Sequence, residues 1–229
     1  MNLEKDAKPV IESKRLYFEI PDKAARKIFV GWFKDPDISK FLKTDEPMLS
    51  RRKLKELRKS LDTLPKATLP QSPKQILVCE KPAPDSVNPL PEEIVFTVID
   101  KESGLVIGAM ALHLIDWENR HAYIRTVIGR KEFQIRGYGR EAKMLLLQYA
   151  FEFLNLRVVR SHVLTDNHRG FKTNQSCGFQ TKEILKGDLV KDGEPKDTVA
   201  MEISLEDWPE AKTQYLLEVK RREEKSLSS

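Results

Sequence analysis

The segment IGRKEFQIRGYGREA, Ile128 to Ala142, places two closely spaced glycines, Gly137 and Gly139, directly before a strongly periodic run. That run, REAKMLLLQYAFEFLNL, sets Ala142, Leu145, Leu146, Tyr149, Ala150 and Phe153 three or four residues apart, which is one apolar stripe on a helix. Glycine lets the backbone turn sharply and come close to a ligand, and the unsatisfied N–H groups at a helix start attract phosphate. Arg130, Lys131, Arg136, Arg140 and Lys143 add positive charge around the same turn. The segment reads as a seat for a multiply phosphorylated cofactor at the entry to the principal helix.

Other readings compete with that one. A spaced glycine pair is common enough by chance to be a plain helix entry. Gly137, Gly139 and Ala142 also satisfy GxGxxA, but the dinucleotide fingerprint follows its strand at once inside a βαβ unit. Here Arg130 to Arg136 intervene, and the preceding strands read as antiparallel. A P-loop fails because no Lys-Ser/Thr follows the glycines.

Upstream of the loop, Glu93 to Asp100 and Leu105 to Asp116 are β-branched and apolar around the turn KESG, which predicts an antiparallel hairpin. Ala122 to Gly129 adds a third strand after WENRH. Nearer the N-terminus, Leu16, Phe18 and Ile20 alternate as in a half-buried strand, and Ala25, Ile28, Phe29, Trp32 and Phe33 have helical spacing. Phe41, Trp32 and Phe33 read as core. A second helix is expected from Ser50 to Leu61, capped by Ser50. More than half of the 13 prolines fall between Pro65 and Pro91, a stretch broken only by the strand-like QILVCEK. Downstream of the helix, RVVRSHVLT predicts a strand, FKTNQSCGF a short helix stopped by Gly178, and KDGEPKD a turn between two strands. The tail from Glu206 reads as helical before SLSS.

These elements predict an α+β fold, a mixed and mainly antiparallel central sheet flanked by helices. One domain covers residues 14–210, with a proline-rich excursion at 65–92. A charged, aperiodic arm precedes it at 1–13, and a C-terminal helix and tail follow at 211–229. With 229 residues, 40% of them hydrophobic and 33% charged, the chain can bury one sizeable core. The excess of 40 basic over 35 acidic residues is small and spread over the chain; it forms no nucleic-acid stripe and also suits an anionic cofactor, and composition does not choose between the two. Cys79 and Cys177 form no CxxC, and His113, His121, His162 and His168 show no metal-ligand spacing, so neither a disulfide framework nor a metal site is expected. MNLEKDAKPVIESKR lacks a signal-peptide core and no run reaches spanning length, so the expected address is the cytoplasm, away from membranes.

Taken together, these motifs resemble the GNAT superfamily, in particular the bacterial ribosomal-protein N-terminal acetyltransferases and spermidine acetyltransferases. Gln134-Ile135-Arg136-Gly137-Tyr138-Gly139 matches the Q/R-x-x-G-x-G/A signature. Gly137 to Ala142, Tyr149-Ala150-Phe151 and Leu154 to Val158 resemble "GyGtEA…yaF…LnlhRV", and Asn167 with Gly178-Phe179 resembles "N…GF". Arg15-Leu16, Trp32 with Asp35-Pro36, Ile107-Gly108, Asp192-Gly193, Asp197 and Trp208 occupy corresponding places, so the likeness spans most of residues 14–210. The chain departs from the group at Ala122-Tyr123-Ile124, where a glutamate is frequent, and at Asn174, where a tyrosine is frequent.

The resemblance implies an acetyl-CoA-dependent N-acetyltransferase acting by direct transfer on a primary amine: a protein N-terminus, a polyamine or an aminoglycoside-like small molecule. It places the cofactor on Gln134, Ile135, Arg136, Gly137, Tyr138, Gly139, Arg140 and Asn167, with carbonyl-polarising N–H groups at Val127, Ile128 and Gly129. Such donors are worth a few kcal/mol to a transition state. An α-amine, with pKa near 8, is far easier to deprotonate at neutral pH than a lysine or polyamine nitrogen near 10.4. Candidate bases are Glu118, Asp116 and His113, and Asn174 is the candidate partner of the leaving thiolate. Each of these groups also has an ordinary structural use: a solvated turn for Asp116 and Glu118, structural rings for His113 and His121, a turn residue for Asn167, and packing for Tyr138. Asp35, Asp37, Asp45 and Glu46 offer acidic charge to a cationic acceptor. Tyr123 and Asn174 also motivate an alternative, a non-catalytic acyl-CoA-binding sensor or scaffold. A homodimer is compatible with either reading, and nucleic-acid binding ranks below both.

Overall fold

A computed structural model describes residues 11–40 and 90–227. The expected helix at Ser50 to Leu61, the QILVCEK strand, Phe41, Asp45, Glu46, Cys79 and nearly all of the proline-rich stretch lie outside the described residues.

Strand β1 (Leu16–Glu19) buries Leu16 and Phe18 on alternate positions. Helix α1 (Lys23–Lys34) starts where Asp22 accepts a hydrogen bond from the Ala25 N–H at 2.7 Å, and it turns Ala25 and Phe29 inward. Asp35 ends that helix and caps the short α2 (Pro36–Ser39). Next come β2 (Glu93–Asp100), β3 (Val106–Asp116) and β4 (His121–Ile128). After the glycine loop, α3 (Tyr138–Gln148) widens into a π-helical turn over Tyr149–Phe153. The apolar stripe continues across this change, with Ala150 and Phe151 buried. Strand β5 (Val158–Leu164), helix α4 (His168–Ser176) and the hairpin β6 (Gln180–Lys191) and β7 (Glu194–Ser204) complete the sheet. The hairpin turn holds Asp192 and Gly193 at φ 52° and 79°, the positive values a tight Asp-Gly turn demands. Helix α5 (Trp208–Leu227) closes the described chain.

The seven strands run in the order β1-β2-β3-β4-β5-β7-β6. Every neighbouring pair is antiparallel except β4 and β5, which α3 joins as a parallel crossover. Because side chains alternate across a strand, the sheet has two distinct faces. One face packs Ile94, Met110, Ile124 and Val159 against Leu146, Ala150 and Trp208 from α3 and α5. The other packs Val95, Ala109, Ala111 and Val127 against Ala25 and Phe29 of α1.

Two boundaries differ from the sequence reading. Residues 11–13 do not hang loose: the Ile11 carbonyl accepts from the Phe18 N–H at 2.8 Å, and Ser13 Oγ donates to Glu141 at 2.7 Å. The break expected at residue 210 falls inside α5, which is tied to α3 by Arg140 with Glu218 and by Glu152 with Lys212 and Trp208. Local periodicity marks a helix but not the body it packs on.

Candidate active site

Strands β4 and β5 pair over only three residues, His121 to Tyr123 against Val158 to Arg160, and then separate. Antiparallel strands exchange hydrogen bonds at alternate residues. The Gly129 N–H donates to the Ile107 carbonyl at 2.9 Å, so the odd-numbered residues of β4 bond to β3. The backbone groups of Thr126 and Ile128 therefore face the gap left by β5. Thr126 Oγ1 is also buried without a hydrogen-bond partner among the described residues. A strand edge lines one side of an open V in the middle of the sheet.

The glycine loop closes the mouth of that V. Gly129 presses against Trp32, whose ring lies where an added Cβ would stand. Gln134 spans the loop: Nε2 donates to the Ile128 carbonyl at 2.9 Å, and Oε1 accepts from Arg169 at 3.1 Å. Ile135 is 91% exposed at φ 66°, a left-handed conformation that β-branched residues avoid. Gly137 at φ 82° is the N-cap of α3 and supplies no side-chain cap, so the first-turn N–H groups are left to another acceptor. Gly139 lies against Ile128, which brings the helix start to the side of β4.

The surrounding charge is arranged differently from the sequence expectation. Arg130 donates to the Val106 carbonyl and lies near Glu132, Lys131 pairs with Asp37 at 2.7 Å, and Arg140 pairs with Glu218 at 2.5 Å. Lys143 is buried against Asn174, and that burial lowers its pKa from the ordinary lysine value. Arg136 is exposed beside the loop, where its carbonyl accepts from Arg15 at 3.1 Å. Arg15 and Arg222 both approach Gly137, a convergence from opposite ends of the chain that spacing alone cannot reveal. A groove of about 580 Å³ continues from Gly137 between α3 and α5, past Arg140 and Tyr215.

On the α1 side of the sheet, the rings of His113 and Tyr123 lie 5.8 Å apart and those of Tyr123 and His162 5.3 Å apart. His162 Nδ1 is 3.3 Å from Asp188 Oδ2, which also accepts from Thr198 Oγ1 at 2.7 Å. The β6–β7 register shifts between Leu185 and Leu189, a bulge that carries Asp188 over β7 toward β5. Arg125 lies 3.9 Å from Glu93 on the same face. Sequence reasoning missed His162 and Asp188, because the bulge that joins them has no marker in local spacing.

A family model described as "Acetyltransferase (GNAT) domain" matches residues 15–180. The chain belongs to the GNAT family. An uncharacterized N-acetyltransferase, p20, of Bacillus licheniformis is 34% identical over 91 residues, 40% of this chain and 51% of that protein. Spermidine N(1)-acetyltransferase of Vibrio cholerae is 30% identical over 108 residues, 47% of this chain and 61% of that one. The chain thus spans about half to three-fifths of the length of these curated relatives. The solved spermidine N-acetyltransferase from Vibrio cholerae in complex with CoA and spermine superposes with a TM-score of 0.64 at 21% identity, covering 86% of this chain and 99% of that one. A GCN5-related N-acetyltransferase from Brucella melitensis gives 0.64 at 21% identity, covering 93% and 86%. Both share the fold.

Within this GNAT domain the expected site residues separate into groups. Gln134 to Arg140 surround the start of α3, and the Ile128 N–H faces the gap from β4, whereas Val127 is paired with Ala109 of β3 and its N–H is turned away from the gap. The Gly129 N–H is committed to Ile107, so it is turned away from the gap. The Tyr138 hydroxyl donates to Asp100 at 3.1 Å and its ring lies under Arg15, so its side chain packs the helix start. Asn167 caps α4, its Oδ1 accepting from the Gly170 N–H at 2.9 Å.

Asn174 is fully buried on the α3 side, where its Nδ2 donates to Ser161 at 2.9 Å and its Oδ1 accepts from Lys143. Glu118 is exposed in the β3–β4 turn, beyond the closed end of the V. Asp116 holds that same turn by accepting from the Asn119 backbone at 2.8 Å, which lowers its pKa. His113 is half-buried on the face that carries Tyr123. Asp35 and Asp37 both contact Lys131, which offsets the charge they offer an acceptor. Among the described residues, no group of three or more His, Cys, Asp or Glu is placed to hold a metal.

Proposed function

We propose that the chain is an N-acetyltransferase that moves the acetyl group of acetyl-CoA directly to a primary amine. The observation that carries this reading is the open edge of β4 at Thr126 and the Ile128 N–H, set beside the uncapped start of α3. The helix start suits the pyrophosphate, whose charge the first-turn N–H groups and Arg136 complement. The pantetheine arm is extended and carries amides, so it can hydrogen-bond to a free strand edge as a further strand would. Its thioester then lies in the gap, between Arg125 and His162.

The α3 face of the sheet is filled by the main apolar core, so an acceptor approaches from the α1 face. Family membership supports an amine acceptor, the spermidine acetyltransferases among the relatives point to polyamines, and protein N-termini and aminoglycoside-like amines complete the classes to be tested. Calorimetric titration with acetyl-CoA tests the donor half of the proposal, with Gly137→Glu as the control. Glutamate at φ 82° strains the N-cap and sets a carboxylate against the phosphates. The expected result is binding by the wild type and at least tenfold weaker binding by the variant. Absence of wild-type binding overturns the reading. A panel of the three amine classes assayed for free CoA tests the acceptor half. Binding without turnover on any amine would favour the sensor reading instead.

A further inference from the structure

We infer that His162, held by Asp188, is the general base that deprotonates the acceptor amine. The inference rests on the transferase reading above. The β4–β5 register stops at Tyr123 and Arg160, so Arg125 and His162 are the first residues of the acceptor face to flank the open V. The His162 side chain is 21% exposed there, with Tyr123 packed edge-on against its ring.

Asp188 gives His162 a direction. An imidazole that donates its Nδ1–H to a carboxylate has its basic lone pair on Nε2. Thr198, fully buried on β7, donates to the same carboxylate oxygen and fixes Asp188 from behind. The chain Thr198, Asp188, His162 thus has the orienting group, the carboxylate and the base of a relay. Each comes from a different strand of the half-sheet opposite the cofactor loop. Of the groups named from sequence, Glu118 lies beyond the closed end of the V and Asn174 is in the core. His113 lies one strand further from the gap, behind Tyr123.

The acceptor enters as an ammonium. His162 Nε2 takes one proton and passes it to solvent, which frees the nitrogen lone pair. The amine attacks the thioester carbonyl, forming the N–C bond. As the tetrahedral intermediate collapses, the C–S bond breaks and its electron pair leaves on sulfur. The second N–H proton ends on that sulfur, giving the amide and free CoA. An α-amine, with pKa near about 8, gives up that proton far more readily than a polyamine nitrogen near about 10.4.

The experiment is a pH profile of kcat/KM for wild type, His162→Gln and Asp188→Asn, on two turned-over amines of different pKa. In the wild type, the acid limb should fall at one pH for both amines, because it reports the enzyme's base. In His162→Gln, kcat/KM should drop about 10²–10⁴-fold. Its residual limb should move with the pKa of the amine. Asp188→Asn should lose less and keep a limb common to both amines. Acetyl-CoA affinity, measured by calorimetry on each variant, serves as the fold check and should be unchanged. A wild-type limb that tracks the amine, or a His162→Gln enzyme with a wild-type profile, overturns the assignment while leaving the transferase reading intact. A wild type that turns over no amine removes the transferase reading and this inference together. Should His162→Gln lose acetyl-CoA binding through misfolding, Asp188→Asn and the two-amine wild-type comparison decide the matter.

Discussion

Replacing Asn174 by alanine separates a structural from a catalytic reading of that residue. Its side chain is wholly buried and holds two neighbours, donating to Ser161 Oγ at 2.9 Å and accepting from Lys143 Nζ. Alanine leaves the lysine amine buried without that acceptor, which costs about 1–3 kcal/mol. The space vacated by the amide adds about 1 kcal/mol. The sum of about 2–4 kcal/mol should lower Tm by roughly 4–16 °C in a domain of this size. Thermal melting by circular dichroism checks it.

The same site gives a pH signature. Burial lowers the Lys143 pKa, so between that value and the ordinary value of 10.5 the unfolded chain binds the extra proton. Stability then rises with pH across that window, because the unfolded state is the more protonated one. Replacing the whole network, as Lys143→Met, Ser161→Ala and Asn174→Leu together, should recover most of the lost stability and flatten the slope, since no polar group is left orphaned. An Asn174→Ala protein that melts within 2 °C of wild type but loses kcat would refute this reasoning and restore a catalytic role.

Three further outcomes are expected. Gly129→Ala drives a methyl into the Trp32 ring and should cost about 1–3 kcal/mol, partly recovered by Trp32→Ala; an unchanged melting temperature would remove the contact. Ile135→Gly relieves a left-handed β-branched residue and should raise stability by up to about 1 kcal/mol, so a fall in Cm on urea unfolding would contradict the strain. Burial, with Glu141 nearby, pushes the Tyr215 hydroxyl up to about 12, so one tyrosine absorbance step should lag the rest. Since the folded pKa is the higher one, that stabilisation is complete below pH 10 and is lost as pH rises toward 12; Tyr215→Phe should remove the late step.

The parts of the fold that depend on neighbours in sequence are legible in the sequence itself. The β2–β3 hairpin, the helix after the glycines and the Asp192-Gly193 turn each follow from local periodicity or turn chemistry. Strand order was not legible, because β7 inserts between β5 and β6 and alternation cannot choose a partner. Lys143 was misplaced for a related reason. It sits next to the apolar stripe and reads as surface charge until α4 covers that flank of α3. The glycine loop is marked by its two glycines, whereas Arg15, just before β1, and Arg222, on α5, reach it from positions remote in sequence. The His162–Asp188 pair depends on a bulge 26 residues downstream, and a bulge shows no period.

The three-residue seam between β4 and β5 has a consequence for amide exchange. The N–H groups of Val127 and Gly129 are locked into the ladder with β3, whereas those of Thr126 and Ile128 project into the gap. Slow and fast deuterium uptake should therefore alternate along a single strand, the exchange pattern of a sheet edge set in the middle of a sheet. A ligand seated in the V would slow the fast set alone and leave its interleaved neighbours as they were.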